Sequence, residues 1–147
     1  MHVHVYAVPV KRSSDICAAQ TLRSAARRLT RRYEEALRPI GLTASQYTIL
    51  RALVASGGLA PGQIARALAF EQTTVTRLLA IMARRGLIAF EARERDRRSK
   101  VARVTGVGRA LHDEARPLWE RAQDRTLGAL TSDEWAQARA LLARLTD

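Results

Sequence analysis

The chain has 147 residues, 47% of them hydrophobic, with eight glycines and four prolines. That composition supplies a core and argues against a disordered chain. Its formal charge is +11, and 23 of its 25 cationic side chains are arginine. The single cysteine, Cys17, excludes an internal disulfide and a multi-cysteine zinc site, and no apolar run reaches membrane-spanning length.

Residues 1–12 alternate polar and apolar side chains up to Pro9, which fits a stray strand or, as expected here, a flexible tail. They lack the basic start and long apolar stretch of a signal peptide, so the expected compartment is the cytoplasm. His2 and His4 have no neighbouring Cys, Asp or Glu, so neither a metal site nor a cofactor is expected. Ser13 and Ser14 offer a cap for a long helix reaching about Arg38, stopped by Pro39 and Gly41. Ile16, Ala19, Leu22, Ala26, Leu29, Tyr33 and Leu37 form one apolar stripe along it. Arg23, Arg27 and Arg31 line another face, with Arg28 and Arg32 beside them: a solvated face or an anion contact.

Leu42-Thr43-Ala44-Ser45-Gln46-Tyr47 is a sharp helix start, because Thr43 and Gln46 have capping-box spacing and Leu42 can staple onto Tyr47. Tyr47, Leu50, Leu53 and Val54 face inward, and Ser56-Gly57-Gly58 ends the second helix. Pro61 opens a short third helix carrying Ile64, Ala65 and Leu68. A fourth helix follows at once, which is helix-turn-helix spacing. It offers Gln72, Thr73, Thr74, Thr76 and Arg77 at its start, then Leu78, Leu79, Ile81 and Met82 at helical spacing, and closes at Arg84-Arg85-Gly86. Leu87–Phe90 and Val101–Val104 read as two short strands, joined by the polar tip Glu91–Lys100. From Thr105 a long helix carries Val107, Leu111, Ala115, Leu118, Ala122 and Leu127, with a kink expected near Asp113–Arg116 because Pro117 removes a backbone donor. Thr131 and Glu134 repeat the capping box, with a Leu130–Trp135 staple, and the last helix is expected to bury Trp135, Ala138, Leu141, Leu142 and Leu145.

The predicted fold is mainly α with a small β-hairpin wing, a winged helix-turn-helix with long terminal helices. Between Pro61 and Arg109 there are eleven Lys/Arg against four Asp/Glu, so most of the basic surplus lies in the helix-and-hairpin region. A helix offering Gln, Thr and Arg suits the base edges of the major groove, and an arginine-tipped hairpin suits the minor groove or its phosphates. The expected contacts to double-stranded DNA are therefore Gln72, Thr73, Thr74, Thr76 and Arg77 on the helix and Arg93, Arg95, Arg97 and Arg98 on the wing. A single winged helix buries little duplex surface, and the long apolar helices at both ends predict a homodimer. Residues 13–147 then form one domain, with 13–40 and 106–147 as dimerisation helices and 43–105 as the DNA-binding lobe. No phosphate loop, His-Glu-x-x-His or Ser/His/Asp spacing suggests an enzyme, and His112 beside Asp113 reads as a surface pair. An architectural or protein-binding winged helix is the rival reading.

These residues resemble the MarR-type winged-helix transcriptional regulators from about Ile16 to Leu145. Four pieces carry the resemblance: Gly41-Leu42-Thr43-Ala44-Ser45-Gln46-Tyr47; Thr74-Val75-Thr76-Arg77-Leu78-Leu79; Arg85-Gly86-Leu87-Ile88; and Asp96-Arg97-Arg98-Ser99 with Val104-Thr105 and Gly108. It implies a triangular homodimer on a pseudo-palindromic operator, acting as a repressor, with Asp96 pairing with Arg98 to stabilise the wing. Glu71 departs from a simple phosphate-binding helix start, since it favours the helix dipole but repels phosphate. The resemblance further implies release by a small aromatic ligand, with Leu22, Ala26, Tyr33, Tyr47, Leu50, Leu111 and Trp119 as pocket residues. The alternative input is oxidation of Cys17, a thiol near a helix start with Arg23 two turns away.

Overall fold

The computed structural model describes residues 16–93 and 96–146, and the side chains of residues 96–98 lie outside the described part. Helix α1 spans Ala18–Leu37 and is followed by a single 3-10 turn, Arg38–Ile40. Pro39 suits the first turn of that element, and Gly41 ends it at φ 71°, the left-handed conformation that glycine adopts without a Cβ penalty. Helix α2 spans Ala44–Ser56, α3 Pro61–Leu68 and α4 Gln72–Arg84. Strands β1 (Ile88–Arg93) and β2 (Asp96–Val104) form an antiparallel hairpin, and α5 (Gly106–Leu127) and α6 (Ser132–Thr146) complete the chain.

The starts expected at Thr43, Pro61 and Thr105 form. Gln46 N donates to Thr43 Oγ1 and Thr43 N to Gln46 Oε1, both at 3.1 Å, so two otherwise orphaned donors of α2 are satisfied reciprocally. Pro61 occupies the first position of α3, and Ala60 N donates to Gln63 Oε1 at 2.8 Å. Thr105 accepts from Gly108 N at 3.1 Å and donates to the Gly86 carbonyl at 2.6 Å, joining the start of α5 to the end of α4. Gly108 is required there: a Cβ would stand 1.9 Å from the Leu87 carbonyl oxygen.

The core lies between α2, α4, the wing base and the first half of α5. Ile49, Leu50, Leu53, Ile64, Val75, Leu79, Met82 and Ala102 are almost wholly buried. Burying each of the larger side chains contributes about 1.5–3 kcal/mol. Leu59 pairs with Ala102 as a single bridge, and the Leu59 and Ala102 amides donate to each other's carbonyls at 3.1 and 2.8 Å. The wing is thereby sewn to the loop before α3.

Several expectations need correction. Helix α1 begins at Ala18 with Cys17 as N-cap; Ser13 and Ser14 lie outside the described residues, as does the tail to residue 12. The strands of the hairpin extend well into the polar segment, leaving a much shorter tip than Glu91–Lys100, because a pair of edges needs only backbone partners to continue. By contrast, helix α5 runs as one element through Pro117, the single long helix expected there. His112 is 9% exposed and lies against Tyr47, so it is a buried residue with Asp113 at its margin. Most consequentially, α6 buries none of its residues: Leu141, Leu142 and Leu145 are exposed and Trp135 and Ala138 half-buried. In α1 only Leu37 is buried, while Leu22 and Leu29 are exposed, as are Ile16 just before the helix and Val107 in α5. Their stripes have the right period, but the described residues of one chain provide no surface that covers them.

Candidate nucleic-acid interface

Helix α4 divides into two faces. Val75, Leu78, Leu79 and Met82 fasten it to the core, which turns Gln72, Thr73, Thr76, Arg77, Ala80 and Arg84 outward. Thr74 is half-buried, and Thr76 Oγ1 donates to the Gln72 carbonyl at 3.0 Å. Among the described residues no side chain caps the helix start at Glu71, so the first-turn amide groups retain their capacity to donate to an anion. Ala69, at φ 53°, makes the tight bend that lets α4 leave α3 after so short a link.

The wing stands beside this helix. Arg93 Nη2 reaches Gln63 Oε1 in α3 at 3.3 Å, so it is tied to the same residue that supports the start of α3. Arg103 donates to Glu91 across the hairpin and to the Gly57 carbonyl, which anchors the wing base to the end of α2. Gly58 is closely covered there, with Val101 and Arg103 side chains at 2.9 and 3.0 Å from the place a Cβ would take. Asp96, Arg97 and Arg98 belong to β2 by backbone; their side chains, and Arg95 altogether, lie outside the described residues. Gln63, Arg103, Ala80 and Arg84 were not legible as site residues. Ala80 and Arg84 continue the exposed α4 face at helical spacing, whereas Gln63 and Arg103 depend on chain segments meeting across the lobe.

The residues expected around an effector separate into two groups. Tyr33, Tyr47 and Trp119 come together: ring centroids are 6.0 Å apart for Tyr33–Trp119 and 6.2 Å for Tyr47–Trp119. The guanidinium of Arg51 sits 4.0 Å from the Trp119 ring centroid, a cation–π contact that the sequence did not reveal. Tyr33 donates from its hydroxyl to Gln123 Oε1, and burial pushes the Tyr47 phenol above its ordinary range, with Arg51 pulling the other way. Leu50 is core, and Leu111 packs against that core. Leu22 and Ala26, by contrast, are exposed on the first half of α1. A cleft of about 470 Å³ adjoins the cluster, lined in part by Thr48, Arg51, Leu68 and His112. Cys17 is exposed at the start of α1, its carbonyl accepting from Thr21 N at 3.0 Å and from the Thr21 hydroxyl at 3.1 Å.

A helix-turn-helix with its second helix outward and an antiparallel wing beside it defines a winged-helix DNA-binding protein. The sequence pattern of the MarR family matches residues 40–99. The HTH-type transcriptional repressor Rv2887 of Mycobacterium tuberculosis is 31% identical over 110 residues, covering 75% of this chain and 79% of the relative. Among solved structures, the M. tuberculosis transcriptional regulator MosR in complex with DNA is 36% identical, with a TM-score of 0.79 over 88% of this chain and 93% of that one. BpsR of Bordetella bronchiseptica, whose DNA binding is regulated by 6-hydroxynicotinic acid, is 28% identical, with a TM-score of 0.82 over 95% and 99%. The chain belongs to the MarR family, and it is a DNA-binding transcriptional regulator, not an enzyme. No helix among the described residues is long and apolar enough to cross a membrane.

Proposed function

We propose that the chain is a cytoplasmic repressor that binds a pseudo-palindromic operator as a homodimer. The observation that carries this reading is the outward face of α4, Gln72, Thr73, Thr76 and Arg77, set beside a wing whose base is pinned to the same lobe. Gln72 and Arg77 read base edges, Thr73, Thr74 and Thr76 contact bases or phosphates, and Arg93, Arg95, Arg97 and Arg98 serve the adjacent minor groove or backbone, with Asp96 steadying the wing. The uncovered leucines of α6 and the apolar side chains of α1 support pairing of two copies through residues 13–40 and 106–147, leaving 43–105 as the reading lobe. Selection of duplexes from a random pool, followed by footprinting, tests this. The expected result is two protected half-sites about one helical turn apart. Uniform coating of DNA would favour an architectural protein instead.

Release from DNA is assigned to a small aromatic acid. Tyr33, Tyr47 and Trp119 supply ring faces, Arg51 a carboxylate partner, and the relative BpsR answers to a molecule of this class. Titration of the protein–operator complex with salicylate and with 6-hydroxynicotinic acid should lower occupancy in the wild type, and Arg51→Ala should blunt the response. A second input rests on the exposure of Cys17: if oxidation of its thiol releases DNA, Cys17→Ser removes peroxide sensitivity. Unchanged peroxide sensitivity in that variant retires the redox input.

A further inference from the structure

The turn after α4 carries an arginine turned toward the protein. Arg85 is the C-cap residue of α4, and its Nη1 donates to the Gly41 carbonyl at 2.8 Å and lies 3.3 Å from Gln46 Oε1. Gln46 is 6% exposed, and the same Oε1 accepts from Thr43 N, so one amide oxygen closes the α2 capping box and meets the guanidinium. Gly41 holds its left-handed turn against this side chain: a Cβ there would lie 3.5 Å from Arg85 Nη2. On the far side of the corner, Glu34 of α1 accepts from Ala44 N at 2.8 Å. The start of α2 is therefore clasped from α1 and from the end of α4 at once.

We propose that Arg85 is a positioning residue for operator recognition, a latch that joins the end of the recognition helix to the α1–α2 corner and sets the angle of α4 on DNA. The inference rests on the operator reading above. A guanidinium bonded to a backbone carbonyl and a nearly buried amide is held by charge-assisted bonds, stronger than neutral ones, and is directed at the protein although the residue is exposed. Both acceptors are served by the one nitrogen Nη1, which the planar guanidinium holds in place, whereas lysine carries its charge on a flexible stem without that plane. Because Glu34 grips the same corner, a change in how α1 seats on α2 reaches α4 through polar contacts that have fixed geometry.

The test measures binding of Arg85→Ala, Arg85→Lys and Gln46→Ala to the selected operator and to poly(dI-dC), over a range of salt. Active fraction is set by stoichiometric titration, so that partial unfolding does not enter the constants. Both Arg85 variants are expected to weaken operator binding about tenfold, the size of a lost hydrogen bond to a charged group, with poly(dI-dC) binding unchanged. The slope of log Kd against log salt should stay as in the wild type, and Arg85→Ala combined with Gln46→Ala should cost less than the two singles added. A slope reduced by about 0.9 would make Arg85 a phosphate contact and overturn the latch. A lowered Tm with operator affinity intact would make it merely structural, which also overturns it. Wild-type protein that selects no sequence overturns the operator reading itself, whereas a selective wild type with unaffected Arg85 variants overturns only the latch.

Discussion

The central lobe and the terminal helices solve the burial problem in opposite ways. In the lobe, α2, α3, α4 and the base of the wing bury apolar side chains against one another, and Ile49, Leu50, Ile64 and Val75 are completely buried. In α6, three leucines stand at 56%, 39% and 65% exposure on a helix with no buried residue. Both regions carry apolar stripes of helical period, so periodicity marks a face that must be covered without saying by what. The lobe buries its stripe, whereas those of the terminal helices stand largely uncovered among the described residues.

Breaking the second half of that comparison should have the largest effect. Leu141→Glu with Leu145→Glu is expected to give monomers by sedimentation, and to weaken operator binding by about 10²–10⁴-fold through loss of paired attachment. A double variant that sediments as the wild type would remove α6 from the interface. Within the lobe, Leu79→Ala should lower the free energy of unfolding by about 2–5 kcal/mol in urea titration while leaving subunit pairing of the folded protein unchanged. A loss below 1 kcal/mol would contradict the packing around α4.

On the outward face the effects are smaller and are read on DNA. Arg77→Ala should cost about 1–3 kcal/mol in operator affinity and relax sequence choice, and Gln72→Ala should act mainly on sequence choice. Equal losses on every DNA sequence would reassign Arg77 to the phosphates. Arg98→Ala, with a similar expected cost, checks the wing in the same titration. The smallest effect concerns acid. Thr131 donates to Glu134 from its amide at 2.7 Å and its hydroxyl at 3.0 Å, and these bonds hold the carboxyl below its ordinary 4.5. The folded value lies below the unfolded one, so this cap contributes fully above about pH 4.5 and is lost as pH falls through the lowered folded value. Glu134→Gln should therefore flatten a slight helicity loss seen by circular dichroism in that acid range, and an identical acid response in both proteins would show that the cap is not the cause.

Much of the local structure was legible because it is written in neighbours. Thr43 with Gln46, Thr131 with Glu134, Pro61, and glycine at 41 and 86 act over three or four residues, and each acts as its spacing predicts. The outward face of α4 was legible for the same reason, since the helix period separates Val75 and Leu79 from Gln72 and Thr76. Where the reading failed, distant segments were involved. Glu91–Lys100 looked like a polar loop because exposed strands carry polar side chains, and only the pairing of two backbones extends them. His112 looked like a surface residue until α2 brought Tyr47 against it.

The sequence by itself determined the order of helices, their caps, the face that α4 turns to solvent and the membership of a DNA-reading family, because these depend on short-range periodicity and on side chains within a turn of each other. Tertiary structure alone decided which arginines serve the fold, which was invisible because Arg85 and Arg103 differ from the other arginines only in what lies opposite them. It also decided that Tyr33, Tyr47, Arg51 and Trp119 come together in one cluster while Leu22 and Ala26 are exposed on α1. Contacts between residues tens of positions apart follow from packing geometry, and a linear pattern does not encode which of several equivalent cations meets a carbonyl.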